Sequence, residues 1–280
     1  MLLIPTKKKC KNKKWKKTKK NLYGISSNIP YTFKLPVPYD KRLCGSSHGW
    51  LAKVDSSSKV TLITLFNPFK DAAVSITLPP IYFVNLYRRR KRYEYDVHKV
   101  ILSANPTFKP HDYVVVAIYS MRKCLAFLKA GQKNWTYIDD IHRLFNDVIF
   151  YKGLVYAVGL WNNIVSFDLS DLKDGRVVSK VVSLKRDDYA DRVYLVKSLE
   201  GDLWLVRKFI GYHASYFSNY LQKDSIYYTD DFYEDTPPYP NGPFDMKIYN
   251  VKDKRFSQHC PFYHWFKENP PAVWVIPPFQ

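Results

Sequence analysis

Gly45-Ser46-Ser47-His48-Gly49 fits G-x-S-x-G, the nucleophile elbow of serine hydrolases. That chemistry needs a strand before the serine and a helix after it, so that a strained turn lifts the hydroxyl. Here residues 50–54 (W-L-A-K-V) read as a strand and run into the turn Asp55-Ser56-Ser57-Ser58. No helix is available to aim Ser47 or furnish an oxyanion donor. The motif therefore reads as a tight turn, with His48 and the serine hydroxyls satisfying backbone groups. His259-Cys260 with His264 is the best metal-like cluster, but adjacent strand residues point to opposite faces and no other Cys/His pair completes a zinc set. Asp139-Asp140, Asp187-Asp188 and Asp230-Asp231 with Glu234-Asp235 resemble carboxylate pairs. Acid–base work needs two carboxylates converging across a cleft, whereas adjacent Asp residues at strand ends serve turns or water. The expectation is no catalytic residue, no metal, no cofactor and no enzyme activity.

Two basic runs carry most of the charge. The formal net charge is +19, and residues 1–20 hold ten lysines and no acid. Lys7, Lys8, Lys9, Lys13, Lys14, Lys16 and Lys17 form the first run; Arg88, Arg89, Arg90, Lys91 and Arg92 form the second. Such runs read as solvated segments, as nuclear-targeting signals or as polyanion contacts. Trp15, Tyr87 and Tyr93 are few as base-stacking platforms, so any nucleic-acid contact is expected to be non-specific and salt-dependent.

The elements that must position these residues are strands. At 46% hydrophobic, the composition is that of a folded chain. No apolar run approaches the roughly 18 residues of a membrane helix, and the apolar 1–4 stretch precedes its lysines, the reverse of a secretory signal. The sequon at Asn134 carries no weight without secretion. Cys10, Cys44, Cys124 and Cys260 are scattered, which predicts a soluble, intracellular, reduced protein. Tyr, Val, Ile and Phe alternate in short runs at 50–54, 60–66, 74–78, 113–119, 124–129, 135–138, 147–151, 154–158, 164–168, 176–184, 193–198, 203–209, 226–229, 246–250, 256–259 and 272–276. Residues 138–145 supply the one expected helical turn. Meanders recurring every ~40–50 residues predict an all-β chain, a β-propeller of four-stranded antiparallel blades. An irregular β-sandwich is the runner-up. Residues 1–20 are expected to be a flexible Lys-rich arm and 21–280 the propeller.

The chain also resembles a known family. The residues that carry the resemblance are L-C-G-S-S-H-G-W-L (43–51), N-P-F (67–69) with L-P-P (78–80), K-V-I-L-S-A-N-P…D (99–112), V-V-V-A-I (114–118) and W-T-Y-I-D (135–139). D-V-I-F-Y-K-G…Y-A-V…F-D (147–168), Y-L-V-K-S-L-E-G-D-L-W-L-V (194–206), I-Y-Y-T-D-D (226–231) and P-A-V-W-V-I-P (271–277) follow in order. Together they resemble the plant F-box-associated, kelch-like propeller family of KIB type. The resemblance makes Gly45, Ser46, Ser47, His48, Gly49, Trp50, Asp230 and Asp231 structural motif residues. It implies a non-enzymatic propeller that recognises another protein, as in the substrate-binding part of F-box ubiquitin ligases. Only about twenty residues precede the propeller, so no F-box of its own is expected. Only fourteen residues, 210–223, stand where the family pattern holds most of a blade. The ring is therefore expected to be incomplete, closing smaller or leaving sheet edges unpaired. The alternatives are a basic nucleic-acid-associated or nuclear protein, a degenerate copy without stable function, and a hydrolase at Ser47. The expected partner is a protein, with no membrane; the chain is expected to be monomeric and located in cytoplasm and/or nucleus, with an organelle left open.

Overall fold

The computed structural model describes residues 2–5, 20–24, 29–33, 42–56, 60–70, 74–82, 96–138, 144–159, 163–169, 179–183, 192–198, 201–208, 225–229, 246–250, 253, 255–260 and 273–274. Among these residues every regular element of more than one residue is a β-strand. The chain divides into two compact units. One comprises Met1–Asp55, Thr64–Ile76 and Phe217–Gln280; the other comprises Ser56–Ile63 and Thr77–Tyr216.

In the first unit, β1 (Leu2–Pro5), β2 (Lys20–Gly24) and β3 (Ile29–Phe33) form an antiparallel sheet with β21 (Val273–Trp274), in the order β21-β1-β2-β3. Leu2 sits opposite both Tyr23 and Trp274, so the first and last described strands pair in one sheet. The apolar residues ahead of the lysines are thus a strand. β18 (Ser225–Thr229), β19 (Met246–Asn250) and β20 (Arg255–Cys260) make a three-stranded meander. Another four-stranded sheet runs β4 (Leu43–Ser47), β5 (Trp50–Ser56), β6 (Thr61–Phe66), β7 (Ser75–Thr77) in that order.

The second unit shows why four-stranded sheets stack. β8 (Val97–Leu102), β9 (Val114–Tyr119), β10 (Cys124–Lys129) and β11 (Thr136–Ile138) form one antiparallel meander. β12 (Asp147–Tyr151), β13 (Leu154–Val158), β14 (Ile164–Phe167) and β15 (Ser179–Ser183) form the next. β16 (Arg192–Lys197) pairs with β17 (Leu203–Lys208). Successive residues of a strand face opposite sides, and the core uses both sides of the β12–β15 sheet. Val155 and Ala157 join Val116, Ile118, Leu125 and Phe127 of the preceding sheet, with Phe145 and Phe167. Tyr156 and Val158, one residue out of phase, pack with Val193 and Leu195 of the following sheet. A sheet covered on both faces removes far more apolar surface from water than an isolated meander, at roughly 25 cal/mol per Å². β12 lies against β8 on one side and β16 on the other, so the first strands of consecutive sheets are neighbours.

The expected strands of 124–129, 147–151, 154–158 and 246–250 coincide with β10, β12, β13 and β19. β1 to β4 and β8 were not among the expected strands. Gly45, Ser46 and Ser47 have weak strand preference, and a register irregularity between Val97 and Lys99 breaks the alternation of β8. At the expected helical turn, Ile138 ends a strand, Leu144 and Phe145 are irregular chain outside any helix, and 139–143 lie outside the described residues.

Candidate functional site

The serine motif is a β-hairpin. Ser47 of β4 pairs with Trp50 of β5, leaving His48 and Gly49 as the two-residue turn with φ of 53° and 78°. Two central residues at positive φ match the twist of the flanking strands, and glycine adopts that conformation without a Cβ penalty. The strand that follows Gly49 occupies the place where a nucleophile elbow has its helix, so the turn reading holds. One part of it is corrected: the Ser46 hydroxyl is buried with no hydrogen-bond partner among the described residues. Trp50 is buried as a core side chain. Beside it, Cys44 Sγ faces Ala52 O at 3.7 Å, and burial pushes its thiol from 9.0 up to about 12.

The basic runs Lys7–Lys17 and Arg88–Arg92 lie outside the described residues, as do Asp139-Asp140, Asp187-Asp188, Asp230-Asp231, Glu234-Asp235 and His264. Asp230 directly follows the end of β18. His259 and Cys260 are consecutive positions at the end of β20. Among the described residues no group of three His, Cys, Asp or Glu side chains is placed to hold a metal ion. No described helix is long and apolar enough to cross a membrane.

Asp147 is one of two buried aspartates among the described residues, with Asp96, that the sequence reading did not single out. It opens β12 with its side chain 5% exposed. Its Oδ1 accepts hydrogen bonds from Lys99 Nζ of β8 and from its own neighbour Val148 N at 2.9 Å; its Oδ2 accepts from Leu195 N of β16 at 2.9 Å. One carboxylate thus ties three consecutive first strands together. A buried carboxylate is tolerated when its lone pairs are satisfied in this way, and here they hold strands in register rather than face a cleft. The signal available in sequence was weak: an Asp immediately before an apolar strand, as also at Asp96-Val97.

A strained corner lies where β9 turns into β10, at the same end of the sheet. Ser120 N donates to Asp96 O at 2.6 Å, and Lys123 N to Ser120 O at 2.9 Å. Leu144 N donates to Arg122 O at 2.9 Å, Phe145 N to Lys123 O at 3.0 Å, and Lys123 Nζ to Asn146 Oδ1 at 3.0 Å. The turn and the chain entering β12 are thereby fastened together, with Phe145 driven into the core. Ser120, Lys123 and Leu144 have φ of 67°, 48° and 73°, three of the five non-glycine residues at positive φ among the described residues. Met121 is 50% and Leu144 38% exposed, either side of the exposed Arg122. On β9 and β11 the Tyr119 and Tyr137 rings lie 5.5 Å apart, and Tyr82 N donates to Tyr137 Oη at 3.1 Å.

Residues 22–219 match the KIB1-4 beta-propeller family. The chain belongs to that family. Its fold class is therefore the expected all-β propeller of four-stranded antiparallel blades. A putative F-box protein of Arabidopsis thaliana is 25% identical over 166 residues, 59% of this chain and 44% of the relative. The F-box protein SKIP23 of Arabidopsis thaliana is 24% identical over 196 residues, 63% of this chain and 46% of the relative. The chain spans less than half the length of these curated relatives. A solved structure, described as a nidogen/laminin complex, superposes with a TM-score of 0.52 at 12% identity, covering 97% of this chain and 96% of that one. At that identity the likeness concerns the fold. In KIB1-4 propeller terms, β8–β11 and β12–β15 are two blades. The Asp147 tie joins the first strands of successive blades, and the strained corner lies at the end of the blades where those first strands begin.

Proposed function

We propose that this chain is a non-enzymatic protein-recognition propeller, similar in role to the substrate-binding part of F-box proteins. The observation that carries this reading is the family match over residues 22–219, with relatives named as F-box proteins. The geometry supports it. The rigid, doubly covered sheets of the second unit hold exposed apolar, aromatic and arginine side chains on short turns, the residue types that anchor protein interfaces. A carboxylate such as Asp147, buried and tied to backbone, contributes to the scaffold. In this proposal the propeller selects a partner for a ubiquitin ligase.

The test is affinity purification of the tagged full chain from plant cells under crosslinking, with quantitative mass spectrometry. A reproducible partner near one-to-one stoichiometry is expected, with ligase subunits enriched beside it. Recovery of no protein above the level of a destabilised Asp147→Ala control would refute protein recognition. Recovery of a partner without ligase subunits would refute the ligase role.

A further inference from the structure

We infer that Phe108, at the tip of the loop joining β8 to β9, is the anchor that docks this chain into an apolar pocket rimmed by carboxylates on a partner protein. This inference deepens the protein-recognition reading and rests on it. The first observation is exposure. Phe108 is 80% exposed, the highest value of the nine large hydrophobic side chains exposed among the described residues. A single exposed apolar side chain is ordinary by itself, so the loop that carries it decides its meaning.

The second observation is that this loop is fixed in shape. Asn105 nucleates it: Oδ1 accepts from Thr107 N at 2.9 Å, and the Asn105 carbonyl accepts from Phe108 N and Lys109 N, both at 3.0 Å. Asp112 N donates to Lys109 O at 3.3 Å, and Lys109 Nζ pairs with Asp112 Oδ2 at 3.1 Å across the same turn. Pro106 and Pro110 stand two residues to either side of Phe108, where their rings fix φ. At the base, Ser103 N donates to Val114 O at 2.9 Å and Val114 N to Ser103 Oγ at 2.8 Å, while Pro106 and Tyr113 are buried. The backbone around Phe108 is thus set before any partner arrives, and little conformational entropy is lost on docking. A large aromatic ring presented in this way is the type of residue that dominates an interface's binding energy.

The third is charge. The end of β10 and the chain leading to β11 adjoin the loop, because Ala130 N donates to Tyr113 O at 2.9 Å. The charged side chains on 103–113 and 129–134 are Lys109, Asp112, Lys129 and Lys133. Lys109 and Asp112 pair with each other, so the half-buried Lys129 and the exposed Lys133 set the sign of the field around the loop. The complement of an apolar ring in a cationic surround is an apolar pocket with Asp or Glu at its rim. An anionic membrane would also accept an aromatic ring beside lysines. Asp112, 84% exposed and four residues from the ring, opposes that, because its carboxylate would be pressed against lipid phosphates. A protein pocket can leave it in solvent.

The experiment replaces Phe108 with the photo-crosslinking residue benzoylphenylalanine in the tagged full chain in plant cells, with the same replacement at Lys180, an exposed position of β15, as control. Mass spectrometry of the adducts should place the crosslink from position 108, and not that from 180, on an apolar stretch of one protein with Asp or Glu beside it. That protein, purified, should bind Phe108→Ala at least tenfold and Lys133→Glu several-fold more weakly than the parent. Both side chains are exposed, so the melting temperatures should be unchanged, which separates lost docking from unfolding. A melting temperature lowered in Phe108→Ala would make the ring part of the core and overturn the inference. A crosslink to a basic or wholly polar surface would overturn it as well. So would identical adducts from both positions, no adduct from 108, or unchanged affinity of Phe108→Ala; these leave protein recognition standing and place it elsewhere. Binding of the full chain to phosphatidylserine–phosphatidylcholine vesicles that Phe108→Ala abolishes would assign the loop to a membrane and overturn it too. Failure of the broader reading is distinct: no partner is recovered by crosslinking from any position.

Discussion

Asp147→Ala removes one acceptor from three donors at once. Val148 N and Leu195 N both lie on buried residues. An unsatisfied buried N–H costs about 1–3 kcal/mol. The third donor, Lys99, has a side chain 36% exposed, so its ammonium turns to water when released and adds little. The expected loss is therefore about 2–5 kcal/mol, a large fraction of the roughly 5–15 kcal/mol that stabilises a domain. Asp147→Asn keeps one acceptor oxygen but no charge and should cost about half as much. Lys99→Met leaves Asp147 bonded to two backbone N–H groups and should cost less than either. Urea denaturation monitored by tryptophan fluorescence gives the three values, and amide exchange at Leu195 reports the local release. A loss under about 0.5 kcal/mol in the alanine variant would refute the argument. A Lys99→Met variant more damaged than Asp147→Ala would refute it as well, because the ion pair rather than backbone anchoring would then dominate.

Gly153 sits at φ 81° in the two-residue turn after Lys152, with open space around its missing Cβ. Gly153→Ala should therefore destabilise through backbone strain alone, by about 1 kcal/mol, whereas Gly131→Ala at the same φ provides a matched control in denaturation. The Cys44 thiol has its folded pKa raised from 9.0 to about 12 by burial. The folded chain holds that proton more tightly, so its contribution is full below pH 9 and is lost as pH rises towards 12. The slope is on the order of 1 kcal/mol per pH unit; Cys44→Ala should flatten the alkaline fall in stability, and an unchanged profile would contradict it. Fusions of a fluorescent protein to the full chain should concentrate in nuclei, and Lys-to-Gln or Arg-to-Gln replacement of residues 7–17 and 88–92 should abolish this. Equal distribution of both forms would remove nuclear targeting from the roles of these runs.

The alternation of apolar residues in 124–129, 147–151 and 154–158 was enough to place those strands to the residue, because a side chain's side of the sheet depends only on its position modulo two. Turn chemistry was legible for the same local reason: His48-Gly49 and Lys152-Gly153 can be read as turns without knowing their surroundings. The family's motifs, spread in order along the chain, carried the propeller. What lay beyond sequence were facts set by residues distant along the chain. Leu2–Pro5 reads as a stray apolar leader until Trp274 and Tyr23 are seen beside it. Asp147 reads as one more strand-end acid until Lys99 and Leu195, each 48 residues away, converge on it. Leu144 reads as core, yet backbone bonds to the β9–β10 turn hold it in left-handed conformation at the surface. Periodicity fixes which face a residue takes, but packing of one sheet on the next decides which polar atoms meet and which apolar side chains remain outside.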